Sequence, residues 1–208
     1  MNKLINKRVL GISGVARAGK DTFASILERK LYLNNRTVLK VSLAGPLKKD
    51  CAEFLASTIK IDASTQILAE KNLIRPLFVW YGDAQRKLTG GRYWIDKADS
   101  IIKHSEFDYY IVTDVRYDTY EKDELYWVQK ELGGVVCHVS RYYPQPDGTK
   151  VFVLPPNDHE RENDPKVKAK ADFVVEWESV EGKNPEELAL DESLNAHVGA
   201  FMTKFNIS

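Results

Sequence analysis

One stretch constrains this chain more than any other: Val9-Leu10-Gly11-Ile12-Ser13-Gly14-Val15-Ala16-Arg17-Ala18-Gly19-Lys20-Asp21-Thr22. An apolar run of strand length meets two glycines five positions apart and then a lysine, after which Phe23, Ile26, Leu27 and Leu31 recur at helical spacing. Strand, glycine loop and helix in that order meet the GxxxxGK pattern of a phosphate-binding loop. In such a loop successive backbone N–H groups cradle phosphate oxygens, the helix N-terminus adds partial positive charge, and the lysine reaches the outer phosphates. Gly14, Ala16, Ala18, Gly19, Lys20, Asp21 and Thr22 are therefore the expected ATP-binding residues. One position departs from the pattern. Where a Ser or Thr hydroxyl would meet Mg2+ stands Asp21 with Thr22 behind it, and the sequence leaves the choice between them open.

Further apolar runs near residues 37–42, 109–114, 135–140 and 172–176 alternate with helical patterns. With residues 8–13 they predict an α/β three-layer sandwich with a mostly parallel, five-stranded sheet. Ligands of such sheets sit outside the carboxyl ends of the strands. Pro46 suits a helix start, and Leu47, Cys51, Phe54 and Leu55 share one face beyond it. Pro76 is read in the same way, Trp94 opens a helix over residues 94–102, and another over residues 125–132 stops at Gly133-Gly134. A last helix carries Leu188, Leu194, Val198, Phe201 and Phe205.

Candidate chemistry lies at the ends of these elements. Lys48 and Lys49 fall in a helix's first turn, which suits either a nearby anion or two solvated side chains. Arg75 and Arg86 are about three helical turns apart and project from nearly one side. They can clamp a phosphate while Trp80 or Tyr81 packs near a base, or Arg86 can simply pair with Asp83. Asp114 and Arg116 close a strand at the ligand crevice, suited to Mg2+ and phosphate respectively, or to each other. His138 reads as a core histidine because no second His or Cys lies at metal spacing. Residues 141–171, rich in proline and charge, read as a long irregular segment. It is either a lid bringing Arg141 or Arg161 onto the transferring phosphates or a solvated surface hairpin.

At 208 residues the chain is most simply a single domain. Thirty basic and thirty acidic residues cancel, which removes any global field for gripping a nucleic-acid polymer. Cys51 and Cys137 sit inside apolar segments and read as buried reduced thiols, suiting a cytoplasm. Lys3, Lys7 and Arg8 precede an apolar run too short for a signal peptide, and nothing approaches a membrane span.

Taken together, Gly19-Lys20-Asp21-Thr22, Ala44-Gly45-Pro46-Leu47-Lys48, Arg75, Leu77, Gly82 and Arg86 begin a pattern that Asp114-Val115-Arg116, Gly133-Gly134 and Arg141 complete. It resembles the bacteriophage deoxynucleoside monophosphate kinases over residues 8–178. The resemblance implies a P-loop nucleotide-kinase fold and transfer of the ATP γ-phosphoryl to a deoxynucleoside monophosphate with Mg2+. The partners would be these small molecules alone, with the chain a monomer or homodimer in a bacterial host's cytoplasm. Lys20, Arg86, Arg116 and Arg141 would be catalytic, and Lys48, Arg75, Trp80, Arg86, Asp114 and Arg116 would bind the acceptor. Residues 44–106 would form the acceptor-binding helical region, residues 141–171 the lid with Arg141 and Arg161, and Thr22, Asp21 and Asp114 the metal site. A His-x-Ser-Glu stretch of that family is only partly kept, as His159-Glu160-Arg161-Glu162. The alternatives are a P-loop kinase for dephospho-coenzyme A, a ribonucleotide or a sugar, an ATPase, and a non-catalytic nucleotide-binding module.

Overall fold

The computed structural model describes residues 8–180, 187 and 190–208. Lys3, Lys7 and Leu188 lie outside the described residues. The strands are β1 (Arg8–Ser13), β2 (Val38–Val41), β3 (Tyr109–Val115), β4 (Val135–Pro144), β5 (Lys150–Phe152) and β6 (Phe173–Glu178). Between them run α1 (Lys20–Leu33), α2 (Ala44–Thr58), α3 (Leu68–Thr89), α4 (Arg92–Lys103), the short α5 (Glu124–Tyr126), α6 (Asp158–Lys170) and α7 (Glu192–Lys204). A single π-helical turn, Trp127–Glu131, continues α5.

Five strands pair in parallel in the order β2-β3-β1-β4-β6. These are the five expected runs. The sixth, β5, pairs antiparallel with the far end of β4 at Tyr142, Tyr143 and Pro144. Alternation along the strands divides the core into two layers. Leu10, Ile12, Ile111, Cys137, Val139 and Val175 face α1 and α7, meeting Phe23, Leu27, Leu31 and Phe201. Val9, Tyr110, Val112 and Val136 face Trp94, Ile95, Ile102 and Trp127 on the opposite side. Both cysteines are buried free thiols. Cys51, Leu55, Ile61, Ala63 and Ile74 form a separate small cluster that joins α2 to α3 beside the sheet. Among the described residues, no helix is long and apolar enough to cross a membrane.

Two local expectations change. The helix around Pro76 begins at Leu68, so Pro76 lies inside it. The proline takes a donor from the carbonyl of Asn72, and the cost is contained because Asn72, Leu73 and Pro76 are all exposed and water can serve that carbonyl. Most of residues 141–171 is regular secondary structure rather than irregular chain. β4 continues through Arg141 to Pro144, turns at Asp147-Gly148 into β5, and α6 follows.

Candidate active site

The loop after β1 is held open by its own backbone. Gly14 has φ 129° and Gly19 φ 92°, conformations that favour glycine, and Arg17 also adopts positive φ at 67°. A Cβ at Gly14 would overlap the Val139 carbonyl, and one at Gly19 would overlap the indole of Trp177. Trp177, at the end of β6, donates its Nε1–H to the Ala18 carbonyl at 2.8 Å. The indole therefore backs the loop, a role that no local motif around residue 177 signals. Lys20, the first residue of α1, is buried and donates Nζ–H to the Val15 carbonyl at 2.8 Å. Burial is the main cause that brings its ammonium down to about 8, aided by the Arg116 charge and opposed by Asp21, Glu160 and Asp114. With the strand order above, this loop gives the nucleotide-kinase-like P-loop fold.

Beside the loop opens a cavity of about 320 Å³, bounded by α2, α3, the end of β3 and the start of α6. Ala16 brings the loop to its wall. On α3, Arg75, Val79, Gly82 and Arg86 line it at the spacing of one helical face, so the expectation that Arg75 and Arg86 share a side holds. Trp80 does not join them. It lies roughly 140° around the helix from that face and is 68% exposed, while Phe78 and the buried Trp94 supply the aromatic wall. Lys48 lines the cavity from α2, and Lys49 does not. Lys48 and Arg75 have no ion-pair partner among the described residues.

Arg86 is neither a free clamp nor the partner of Asp83. Its Nη2 donates to both oxygens of Asp123 at 2.9 and 2.7 Å and its Nη1 to Glu124 Oε1 at 2.9 Å. Tyr117 stacks at 3.7 Å from the guanidinium carbon, and Asp83 pairs instead with Lys87. Asp123 also accepts the backbone N–H groups of Thr119, Tyr120 and Glu124, and Glu124 those of Arg116 and Tyr117. This buried cluster fixes the segment after β3 against α3. The pattern Asp123-Glu124 offered the signal, but nothing local ties it to an arginine 37 positions earlier.

Asp114 and Arg116 also avoid each other as hydrogen-bond partners. Asp114 accepts the Ser42 hydroxyl at 2.8 Å and the backbone N–H groups of Leu43 and Ala44 at 2.8 and 2.9 Å. It thus serves donors at the start of α2 that the helix itself leaves unpaired. Arg116 donates to Glu160 Oε1 at 2.6 Å. Glu160 Oε2 in turn accepts the Ala16 N–H at 2.8 Å, a contact with the phosphate loop that sequence reasoning missed.

Arg141 and Arg161 face elsewhere. With Val15, Lys168 and Phe152 they line a second cavity of about 260 Å³, between the β4–β5 hairpin and α6. Arg161 pairs with Asp158 on the surface. Arg141 Nε is buried with no hydrogen-bond partner among the described residues, as is Ser13 Oγ. His138 is the expected core histidine, its Nε2 3.0 Å from Asp164 Oδ1.

The residues suited to Mg2+ are few. Asp21 is exposed and Thr22 half-buried in the first turn of α1, whereas both Asp114 oxygens already serve three donors. Among the described residues there is no group of three or more His, Cys, Asp or Glu that could hold a metal ion.

No protein-family model matches the chain. No curated protein matches it. Similar solved structures include an APS kinase from Mycobacterium tuberculosis, 12% identical over 89% of this chain and 93% of that one, with a TM-score of 0.37. A sugar kinase from a Janibacter species is also 12% identical, over 97% of this chain and 96% of that one, with a TM-score of 0.35. Overlap at these scores is loose, so the fold assignment stands on the strand order and the loop.

Proposed function

We propose that the chain is a small-molecule kinase that transfers the γ-phosphoryl of ATP to a deoxynucleoside monophosphate. One observation carries the kinase reading: the phosphate loop borders the cavity of about 320 Å³ at Ala16, and of the cations lining that cavity Lys48, Lys71 and Arg75 are not neutralised by ion pairs among the described residues. An ATPase needs no second cationic cavity, and a binding module needs no acceptor. The choice of a deoxynucleotide among small acceptors rests on the resemblance of the dispersed motifs.

Phosphoryl transfer needs positioning and neutralised charge more than covalent chemistry from the protein. The loop amides from Gly14 to Thr22 hold the triphosphate, and Lys20 leaves the Val15 carbonyl for its outer oxygens. Lys48 and Arg75 hold the acceptor phosphate, with Phe78 and Trp94 beside the base. Arg116, which lines the same cavity, neutralises charge on the group in transfer. Arg86 fixes the wall without touching substrate. Mg2+ brought by ATP supplies further charge neutralisation, with Thr22 or Asp21 as its protein oxygen.

The test is ADP release from Mg-ATP against a panel of deoxy- and ribonucleoside monophosphates, dephospho-coenzyme A and sugars, with a no-acceptor control. Turnover that depends on a deoxynucleotide and falls by orders of magnitude in Lys20→Ala supports the proposal. Equal ADP release with and without acceptor refutes it in favour of an ATPase. Turnover only with another acceptor moves the substrate class, and nucleotide binding without any turnover leaves a binding module.

A further inference from the structure

Glu160 is a carboxylate in a place built for a phosphate. It is buried, with Oε2 on the Ala16 N–H at 2.8 Å and Oε1 on the Arg116 guanidinium at 2.6 Å. Asn157 Nδ2 approaches Oε1 at 3.4 Å. A loop amide and an arginine converging on one anion are the donors that a phosphoryl group also requires. We infer that the Ala16 N–H and Arg116 form the seat of the phosphoryl group in transfer, and that Glu160 is its resident surrogate, displaced when a triphosphate binds. The inference rests on the nucleotide-binding reading of the loop.

Three observations converge on it. The first is position. Ala16, Arg116 and Glu160 all line the acceptor cavity, and Lys20 is close enough to feel the charges of Arg116 and Glu160. The seat therefore lies between the donor loop and the acceptor cavity, where a transferred group must pass.

The second is that Glu160 has somewhere to go. Asn157 is the N-cap of α6, and its side chain accepts the Glu160 N–H at 2.9 Å. Asn157-Asp158-His159-Glu160 thus has the spacing of a capping box, in which the third-position carboxylate turns back to the N-cap backbone N–H. Here the carboxylate reaches outward to the phosphate loop instead. Released from the loop, it can take the partner its own helix offers, so no carboxylate is left buried and unpaired.

The third is that the rest of α6 is held independently. Asn163 Oδ1 accepts the Thr119 hydroxyl at 2.6 Å, Lys170 pairs with Asp118 at 2.5 Å, and Val167 packs in the core layer beneath. Only the first turn has to move.

One amide and one guanidinium cannot serve two anions in the same place, so Glu160 competes with the outermost phosphate. Latching lowers the apparent affinity for a triphosphate by the fraction of molecules left unlatched. A diphosphate ends one phosphoryl short of the seat and leaves the latch closed.

The test is calorimetric titration of the whole chain with Mg-ATP and Mg-ADP, using the native protein, Glu160→Ala and Glu160→Gln. Hydrogen exchange is followed in α6 of the native protein with each nucleotide. Removing the carboxylate should tighten ATP about tenfold and leave ADP within about twofold. Glu160→Gln keeps an acceptor for the Ala16 N–H but drops the charge, and should fall between. ATP, but not ADP, should speed exchange in the first turn of α6. Equal gains for both nucleotides, no gain for ATP, or weaker ATP binding would overturn the inference. The glutamine variant is nearly isosteric, so the comparison survives if the alanine variant does not fold. If neither nucleotide binds any of the three chains, the inference falls together with the nucleotide reading. An ATP-selective gain without phosphorylation of any acceptor sustains the inference and removes only the proposed kinase activity.

Discussion

Replacing Arg86 by alanine separates a residue that holds the wall of the cavity from one that holds substrate. Its side chain is 6% exposed and makes two bonds to Asp123 and one to Glu124. After truncation Asp123 keeps three backbone N–H donors and Glu124 Oε2 keeps two, but Glu124 Oε1 loses its cation. Breaking a buried ion pair from one side costs about 3–5 kcal/mol. At about 2–4 °C per kcal/mol for a domain of this size, the melting temperature should fall by about 6–20 °C. The loss should also depend on pH. Burial pushes the Glu124 carboxyl up to about 8, against the pull of Arg86, and without the arginine it rises further. A carboxyl that holds its proton more tightly when folded stabilises the fold on the acid side, and that help is lost as pH rises through its folded value. The deficit at about pH 8.5 should therefore exceed the deficit at about pH 6. Thermal melts of both proteins at the two pH values, with acceptor KM in parallel, decide the matter. A variant that melts with the native protein yet shows a greatly raised acceptor KM would refute the structural reading and restore Arg86 to the substrate.

Lys20 predicts how ATP affinity varies with pH. The empty site gives up the lysine proton near 8, whereas bound phosphates hold it, so the Kd should be flat below that value and rise by up to about tenfold per pH unit above it; calorimetry in buffers of different ionisation enthalpy should show proton uptake, and a flat profile would contradict the burial of the ammonium. Gly19→Ala should abolish ATP binding and lower stability, because φ 92° and the Trp177 indole both oppose a Cβ, and a normal titration would refute that packing. Lys48→Ala and Arg75→Ala should each raise acceptor KM about tenfold while leaving ATP Kd unchanged, as initial-rate kinetics and calorimetry can separate.

What the sequence discloses here depends on whether a feature is local. The loop from Gly14 to Thr22 and the five parallel strands are written in contiguous residues, and each appears where its pattern lies. Helix α6 escapes because the residues it buries are Glu160, Asn163 and Val167, one helical face made mostly of polar side chains. A search for apolar periodicity passes over such a face, and the prolines and charges around it then read as loop. Trp80 is a different case: five residues after Arg75 it falls roughly 140° around α3, so residue counting alone already separates it from the face that Arg75 and Arg86 share. Arg86 with Asp123, and Ala16 with Glu160, join residues far apart in the chain, so no spacing rule could pair them.

The same long-range pairing explains how a chain of zero net charge can still offer a site for polyanions. Its cations near the loop divide by whether they already have an acid. Arg86 is matched by Asp123 and Glu124, and sits where a fixed wall is needed. Lys48 and Arg75 are unmatched among the described residues and line the cavity, leaving their charge for a ligand. Arg116 is the intermediate case, since its partner Glu160 comes from the first turn of a helix held mainly further along. On the inference drawn above, this acid keeps the guanidinium paired while the cleft is empty and would release it when a phosphate competes for the same donors. Net charge is silent about this, because what matters is which acid can leave.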